Sequence, residues 1–360
     1  MSSPNAVDAL TKATAALRIP LYGMIELTWR CNFRCVHCYQ EGQRDSHREL
    51  STEEWRQLLD ELAVLGCVFL NITGGEPLLR KDFPDIYRHA IGRGFVVTVF
   101  SNASLITQDI LALWAQLPPR KVEISLYGTN AETYRRVTGV SDGWEKAVSA
   151  VDRLCALGIR VELKAPAMKL LLDELTQMRT FARQRGLSFR ADPGLFPRLD
   201  GNRAPLEQRL SPAEVLALEA ADSAFQERLQ ACFMDVPDLG TRVYRCGAGS
   251  NAFNINPSGH FEACAIARAT SVSWREVGAA RAWEALRAES ERVHAWTPKA
   301  SLVFPSEGSK PEGCGSCAAR GGCSRCPGKS WLEAGDVEKA VPHHCEVTVK
   351  KREALELSSA

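Results

Sequence analysis

The sequence lacks a dominant charge: 44 lysines and arginines meet 43 aspartates and glutamates, for a formal net charge of +1. That balance gives neither nucleic acid nor an anionic membrane surface an electrostatic foothold. The sequence also lacks an apolar run approaching the roughly 20 residues that cross a bilayer. Its opening segment, MSSPNAVDALTKATAALRIP, lacks the basic n-region and apolar h-region of a secretory signal. The expected setting is the cytoplasm, with no nucleic acid and no membrane among the partners. Repeats of a whole unit and low-complexity tracts are missing as well. What remains, 360 residues at 45% hydrophobic and 24% charged, suits one large globular domain or two ordinary ones. Disordered, collagen-like and coiled-coil chains are excluded.

Cysteine is in excess. There are 13, an odd number. A secreted disulfide framework is small and even-numbered, whereas closely spaced cysteines in a large cytoplasmic chain are more often metal ligands. Composition alone points to metal.

From residue 22 to about 230 the pattern alternates. Short β-prone runs occupy 22–28, 67–73, 95–100, 121–126, 159–165 and 187–190, with helical periodicity between them. In 53–65 the apolar residues Trp55, Leu58, Leu59 and Leu62 share one helical face, and Ser51 with Glu54 forms a capping box. Ser211, Pro212 and Glu214 open a later helix in the same way. A strand-to-strand spacing of roughly 26 to 45 residues fits repeated βα units. Strict alternation demands parallel strands and right-handed crossovers. Both an open doubly wound sheet and a curved, incomplete barrel meet that demand. In either, ligands bind at the C-terminal ends of the strands. Beyond about residue 239 the alternation stops and Gly, Pro and Cys become dense, above all in 308–329. So few apolar residues cannot build a core there, and an inorganic group is expected to hold the segment together. The boundary is expected at Asp235–Leu239.

The first expected strand is followed directly by Cys31-Asn-Phe-Arg-Cys35-Val-His-Cys38-Tyr39. Three thiolates on one loop can hold three corners of a cubane cluster and leave the fourth iron open to another ligand. Zinc is the competing reading, with His37 closing a Cys3His site. The second strand ends in Gly74-Gly75-Glu76-Pro77. Paired glycines admit a ligand close to the backbone, and the adjacent carboxylate can receive an ammonium group.

C-x3-C-x2-C followed by GGEP resembles the radical S-adenosylmethionine (SAM) superfamily, over residues 20 to 350. The resemblance implies a partial (β/α)6 TIM-type barrel. It implies a [4Fe–4S] cluster on Cys31, Cys35 and Cys38 whose open iron chelates SAM, with the GGEP turn, through Glu76, as the ammonium site. Ser101 and Asn102, standing where the family often has Thr-Asn-Gly, and Ser125 are implied SAM contacts. So is Arg136, with Arg135 an equal alternative in register and a solvated helix charge the competing reading. Lys164, Arg190 and Asp192 close the last strands and are candidate substrate residues, against surface ion pairs as the alternative.

Farther on come Cys246, Gly259, Cys264, then Cys314-x2-Cys317-x5-Cys323-x2-Cys326, and Cys345. These seven cysteines are similar in order and approximate spacing to the SPASM extension, an auxiliary iron–sulfur domain. The resemblance implies one cluster on Cys314, Cys317, Cys323 and Cys345 and another on Cys246, Cys264 and Cys326. The second set lacks the cysteine that complete members carry just before Cys246, and Cys232 is far upstream in an expected helix. That cluster therefore has an open iron, a non-cysteine ligand or a [2Fe–2S] form. A zinc ribbon on Cys314 to Cys326 is the alternative, but leaves Cys246, Cys264 and Cys345 without a role. Cys67 and Cys155 read as buried small hydrophobes.

The resulting domain expectation is an N-terminal extension at 1–20, a radical SAM core at 21–235, a SPASM domain at 236–350 and a tail at 351–360. The activity implied is reductive cleavage of SAM to a 5′-deoxyadenosyl radical, fed by a flavodoxin or ferredoxin-type donor. The leading substrate is a ribosomally made precursor peptide, cross-linked or oxidised. The segment 1–20 is too short for the peptide-recognition domain of some relatives, so a separate recognition protein or the SPASM surface would serve. Sulfatase maturation is disfavoured, because Ala265 stands where those relatives place a catalytic aspartate. The alternatives are oxidation or decarboxylation of a small molecule such as a tetrapyrrole, and a non-catalytic zinc-binding module.

Overall fold

The computed structural model of the protein describes residues 6–40, 48–221, 225–234, 246–294, 317, 319, 322–323, 325–337 and 339–358. The chain divides into two compact units, 1–208 with 247–290 and 209–246 with 291–360.

The first unit opens with α1 (Ala6–Leu17) and β1 (Tyr22–Glu26), followed by α2 (Thr52–Val64), β2 (Phe69–Thr73), α3 (Phe83–Gly92) and β3 (Val96–Ser101). Then come α4 (Gln108–Gln116), β4 (Lys121–Ser125), α5 (Ala131–Thr138), α6 (Gly143–Ala156), β5 (Val161–Pro166), α7 (Leu175–Gln184) and β6 (Ser188–Asp192). All six expected strands form. They pair in parallel, each with its successor. A doubly wound sheet reverses its strand order at a switch point, whereas a barrel runs on in one direction. The order here is unreversed from β1 to β6, so the architecture is the partial (β/α)6 barrel.

The alternation along the strands separates two faces of the sheet. Ile25, Ile72, Val97, Val99, Val122, Ile124 and Leu163 are fully buried on the outward face, under the crossover helices. Residues of the other parity, such as Met24, Thr73, Phe100, Ser125 and Lys164, turn inward and line a cavity. The expected helix α2 starts on its capping box: Ser51 N–H donates to Glu54 Oε2 at 2.8 Å, and Glu54 N–H to Ser51 Oγ at 3.3 Å. Trp55, Leu58, Leu59 and Leu62 are its buried face. Phe83 and Tyr87 of α3 pack edge-on and tilted against Trp114 of α4.

After β6 the chain forms α8 (Pro212–Ala220) and α9 (Phe225–Met234), then β7 (Ala252–Ile255), β8 (His260–Cys264) and β9 (Ala267–Ser273). The boundary expected at 235–239 lies outside the described residues. Residues expected in the SPASM domain return to the first unit: β7 pairs in parallel with β1, Tyr22 opposite Ala252 and Ile25 opposite Ile255. β8 and β9 extend that edge as an antiparallel hairpin. Helix α10 (Trp274–His294) follows, interrupted at Gly278 with φ +75°.

The second unit contains α8, α9, α11 (Pro327–Ala334) and α12 (Pro342–Ser358). Helix α8 starts on the expected Ser211–Glu214 capping box, with Pro212 in the first turn. Arg209 grips Glu333 of α11 with two hydrogen bonds of 2.6 and 2.8 Å, and Lys351 of α12 reaches Glu219 of α8 at 2.7 Å. Among the described residues no helix is long and apolar enough to cross a membrane.

Candidate active site

The loop leaving β1 carries Cys31, Cys35 and Cys38. It is fixed to the end of α5, where Arg34 N–H donates to Thr138 C=O and Val36 N–H to Val137 C=O, both at 2.9 Å. A turn closed by Cys38 N–H on Cys35 C=O at 3.0 Å shapes its far side. All three cysteines line one cavity of about 320 Å³, shared with Gly74, Gly75, Ser101, Asn102, Ser125 and Lys164. That is the volume of a small-molecule site. Burial pushes the Cys31 thiol up to about 12, the nearby charges of Glu76 and Cys38 add to this, and donors from Phe33 and Asn102 oppose it. Asn102 Nδ2 stands 3.9 Å from Cys31 Sγ and 3.0 Å from Asn32 Oδ1.

His37 also lines the cavity, with Nδ1 buried and without a hydrogen-bond partner among the described residues. Burial lowers its pKa to about 4, so its ring is neutral at pH 7. Among the described residues no three His, Cys, Asp or Glu side chains converge on a single-ion centre, as a closed Cys3His zinc site requires. Three thiols lining one cavity can hold three corners of a cubane cluster.

The GGEP turn is built differently from expectation. A Cβ on Gly74 would stand 2.7 Å from Thr28 O, and one on Gly75 only 2.3 Å from Arg30 O. The glycines are needed because the chain entering the cysteine loop passes across them; Gly75 N–H donates to Thr28 C=O and Glu76 N–H to Arg30 C=O. Glu76 is wholly buried. Its carboxylate accepts Ser101 Oγ–H at 2.9 Å, Asn102 N–H at 2.8 Å and Leu78 N–H at 3.2 Å. Burial pushes it up to about 7 against those three donors. Glu76, expected to be the ammonium site of the turn, thus has its carboxylate oxygens facing donors of the protein itself. Pro77 is buried beside it, in the first turn of the 3-10 helix Pro77–Leu79 that Glu76 caps.

Other expected residues divide in the same way. Ser101 and Asn102 both face the cavity, and Ala103 after them holds a left-handed φ of +65°. That is the conformation glycine adopts at little cost. Arg135 and Arg136 are both exposed on α5, Arg135 paired with Glu132 at 2.9 Å. Tyr134, Val137 and Thr138 occupy the buried face of that helix, so the phase of α5 sends Arg136 away from the cavity. Arg190 and Asp192 are exposed. Lys164 alone of the three substrate candidates lines the cavity, its Nζ 3.4 Å from Glu123 Oε2 and 3.5 Å from the centre of the Phe100 ring.

The family model described as the radical SAM superfamily matches residues 25–178, from the end of β1 into α7. The PqqA peptide cyclase of Rhodopseudomonas palustris is 29% identical over 342 residues, covering 90% of this chain and 86% of that one. Residues 25–178 of the chain are thus similar to the radical SAM superfamily. Over most of its length the chain is similar to enzymes described as peptide cyclases and maturases. The mycofactocin maturase MftC of Mycolicibacterium smegmatis is 29% identical over 252 residues, covering 67% of this chain and 63% of that one. SuiB of Streptococcus suis, solved with S-adenosylmethionine, shares the fold with a TM-score of 0.70 at 16% identity, over 96% of this chain and 84% of that one.

The radical SAM cysteine loop is continuous with a region that sequence reasoning missed. Glu26, wholly buried at the end of β1, receives two hydrogen bonds from Arg268 of β9, at 2.8 and 3.0 Å. Gln40, two residues past Cys38, donates to Glu26 as well. Arg268 Nε also donates to Ala265 C=O at 2.8 Å, next to Cys264, and lies 3.3 Å from Glu262. Burial raises the pKa of both carboxylates, that of Glu262 to about 7.

Of the remaining cysteines, Cys264 ends β8 in the first unit and is half-buried. Cys314 lies outside the described residues, as does the side chain of Cys232. In the second unit burial is the largest cause raising both Cys326 and Cys323; the nearby charge of Cys246 acts in the same sense on the first, that of Cys317 on the second. Cys345 is half-buried near the start of α12. Cys67 is buried just before β2, as expected, whereas Cys155 on α6 is half-exposed rather than buried.

Proposed function

We propose that this enzyme cleaves SAM reductively and abstracts hydrogen from a ribosomally made precursor peptide, forming a cross-link or an oxidised side chain. The observation that carries the reading is the placing of three thiols, a glycine–glycine backbone and a strand-end serine round one cavity. Cys31, Cys35 and Cys38 would hold three irons of a [4Fe–4S] cluster. That cluster and SAM, when bound, supply one-electron cleavage of the sulfonium and a 5′-deoxyadenosyl radical. The chain's own task is to bind and to orient. The Gly74–Gly75 backbone, not the Glu76 side chain, would receive the methionine ammonium. Ser125 would meet the ribose or carboxylate, and Asn102 would donate to the sulfur of Cys31. Tyr127 and the neutral ring of His37 would wall the nucleotide off from water.

The peptide substrate rests on the near-full-length relationship to the PqqA peptide cyclase. SuiB, of the same fold, has been solved with its precursor peptide SuiA. We further infer that Cys246, Cys264, Cys314, Cys317, Cys323, Cys326 and Cys345 carry two auxiliary iron–sulfur clusters, which take the electron released when the substrate radical is oxidised. A flavodoxin or ferredoxin-type protein would reduce the radical SAM cluster.

The test is anaerobic reconstitution followed by incubation with SAM, dithionite and a short peptide encoded beside the gene. Deuterium transfer from a labelled peptide into 5′-deoxyadenosine supports the reading. Cleavage of SAM with no transfer from any such peptide contradicts the peptide part and leaves the radical SAM activity standing.

A further inference from the structure

Two aromatic clusters of the first unit differ in where they lead. Phe83, Tyr87 and Trp114 pack on one another and are all fully buried, and none of them lines the cavity. They are core. The other cluster starts at the cavity and ends outside the barrel. Tyr127, which follows β4, lines the cavity with Cys35 and Ser125. Its ring centre lies 5.9 Å from that of Tyr134 on α5, and Tyr134 lies 5.9 Å from Trp144 on α6. Centres about 5 to 7 Å apart put aromatic rings in contact. Trp144 is half-buried and stacks no further inward. With Phe181 of α7, 5.3 Å away, it lines a surface groove of about 240 Å³ among the exposed Thr176, Gln177 and Gln184.

Tyrosine and tryptophan are the side chains of this series that give up an electron most readily, and phenylalanine does not, so the redox-active series ends at Trp144. Burial raises the pKa of Tyr127 and of Tyr134, and the nearby charge of Cys35 acts in the same sense on both. Each phenol therefore keeps its O–H at neutral pH, and what Tyr127 can lose to a radical is a hydrogen atom. Both rings lie within electrostatic reach of the cysteine loop, where the radical would arise.

We propose that Tyr127, Tyr134 and Trp144 form a discharge path that quenches a 5′-deoxyadenosyl radical which meets no substrate. This rests on the radical SAM reading of the three cysteines. Tyr127 gives the hydrogen atom of its O–H to the radical carbon. That O–H bond breaks, the C5′–H bond forms, and 5′-deoxyadenosine leaves intact. A phenolic O–H is weaker than the primary C–H bond made, so the step runs downhill. The Tyr127 phenoxyl then takes an electron from Trp144 across the ring of Tyr134, and a proton from solvent at the cavity through Ser125. Trp144 releases its Nε1 proton at the groove. A low-potential one-electron reductant in solution, of the class that feeds the cluster, returns an electron to Trp144, which regains its proton.

The experiment leaves the peptide out. Reconstituted protein is mixed with SAM and dithionite in D2O without thiol reagents, 5′-deoxyadenosine is analysed by mass, and freeze-quenched samples are examined by EPR. The Tyr127 hydroxyl is then O–D, so the parent should release deuterium-labelled 5′-deoxyadenosine. Tyr127→Phe should lose most of that label, since only non-exchanging C–H bonds remain for the radical to attack. Trp144→Phe should keep the label, but its tyrosyl signal should decay at least about tenfold more slowly than the parent's, because a missing relay raises the barrier on the electron's path. Undiminished label in Tyr127→Phe, or decay at the parent rate in Trp144→Phe, overturns the proposal. If Tyr127→Phe fails to hold its cluster, the parent and Trp144→Phe decide alone: label together with a slowed tyrosyl decay supports the path, and absence of either overturns it. A parent protein that releases no 5′-deoxyadenosine would contradict the radical SAM reading instead.

Discussion

Two charged clusters occupy the inner face of one sheet, and they differ in how completely they are satisfied. At the β1–β7–β8 side, Glu26, Glu262 and Arg268 sit with Asn254, Asn256 and Gln40 in a network in which, among the described residues, only Asn254 Oδ1 is buried without a hydrogen-bond partner. Asn254 and Asn256 reach Glu262 at 3.0 and 2.7 Å, and Arg268 spans both carboxylates. At the β4–β5–β6 side, Lys121, Glu123, Glu162, Lys164 and Arg190 form a graded series whose contacts lengthen from 2.6 to 3.9 Å. A buried charge by itself does not mark a site, since paired ions can be purely structural. Spare bonding capacity that faces a cavity is the better mark, and in the second cluster Lys164 has it.

That contrast can be broken by mutation. Arg268→Met should be the most damaging change, because it strands two buried carboxylates. A loss of about 3–5 kcal/mol in urea unfolding is expected. Lys164→Met, on the open side, should cost less than about 1 kcal/mol, since Lys121 still holds Glu123. Comparable losses for the two would erase the distinction.

Glu76 belongs with the closed group and gives it a pH signature. Its pKa is raised to about 7 from 4.5 by burial, so the folded state binds its proton more tightly than the unfolded chain does. Stability linked to this group is full below about pH 4.5 and falls as pH rises to about 7. The change is of order 3 kcal/mol across that window. The difference in unfolding free energy between parent and Glu76→Gln, measured from pH 4.5 to 8, should therefore shrink with rising pH and then level off. A difference that grows with pH would contradict the assignment.

Smaller effects sharpen the edges of the comparison. Ala103→Gly relieves a left-handed alanine beside Asn102, and after the entropy that glycine costs the unfolded chain it should gain about 0.5 kcal/mol in thermal unfolding. Arg136→Ala should stay within about 0.5 kcal/mol of the parent and leave SAM affinity unchanged, as befits an exposed charge.

Much of this was legible in the sequence. The six strands, both capping boxes and the cavity-facing cysteines are local patterns, and Lys121–Ser125 even shows the inward polar face as lysine, glutamate and serine alternating with valine and isoleucine. Strand order was not legible, because periodicity has no memory of which strand lies beside which. The fate of Glu76 was hidden because its donors, Ser101 and Asn102, arrive from β3. For Arg136 and Arg135 the sequence left open a SAM contact or a solvated helix charge, because motif spacing does not fix the phase of α5, which Tyr134, Val137 and Thr138 set by packing inward. The Glu26–Arg268 pair joins residues 242 positions apart, and no local signal announces it. An alignment of covarying positions would have been the one sequence-level clue.

The measurement that tests the account most directly is release of 5′-deoxyadenosine by the anaerobically reconstituted, dithionite-reduced protein, set against Cys35→Ala prepared identically. The account predicts SAM-dependent release by the parent and background release by the variant, with the cluster signal lost in parallel. Equal release by the two proteins would contradict the assignment of the cysteine loop as the centre of the chemistry.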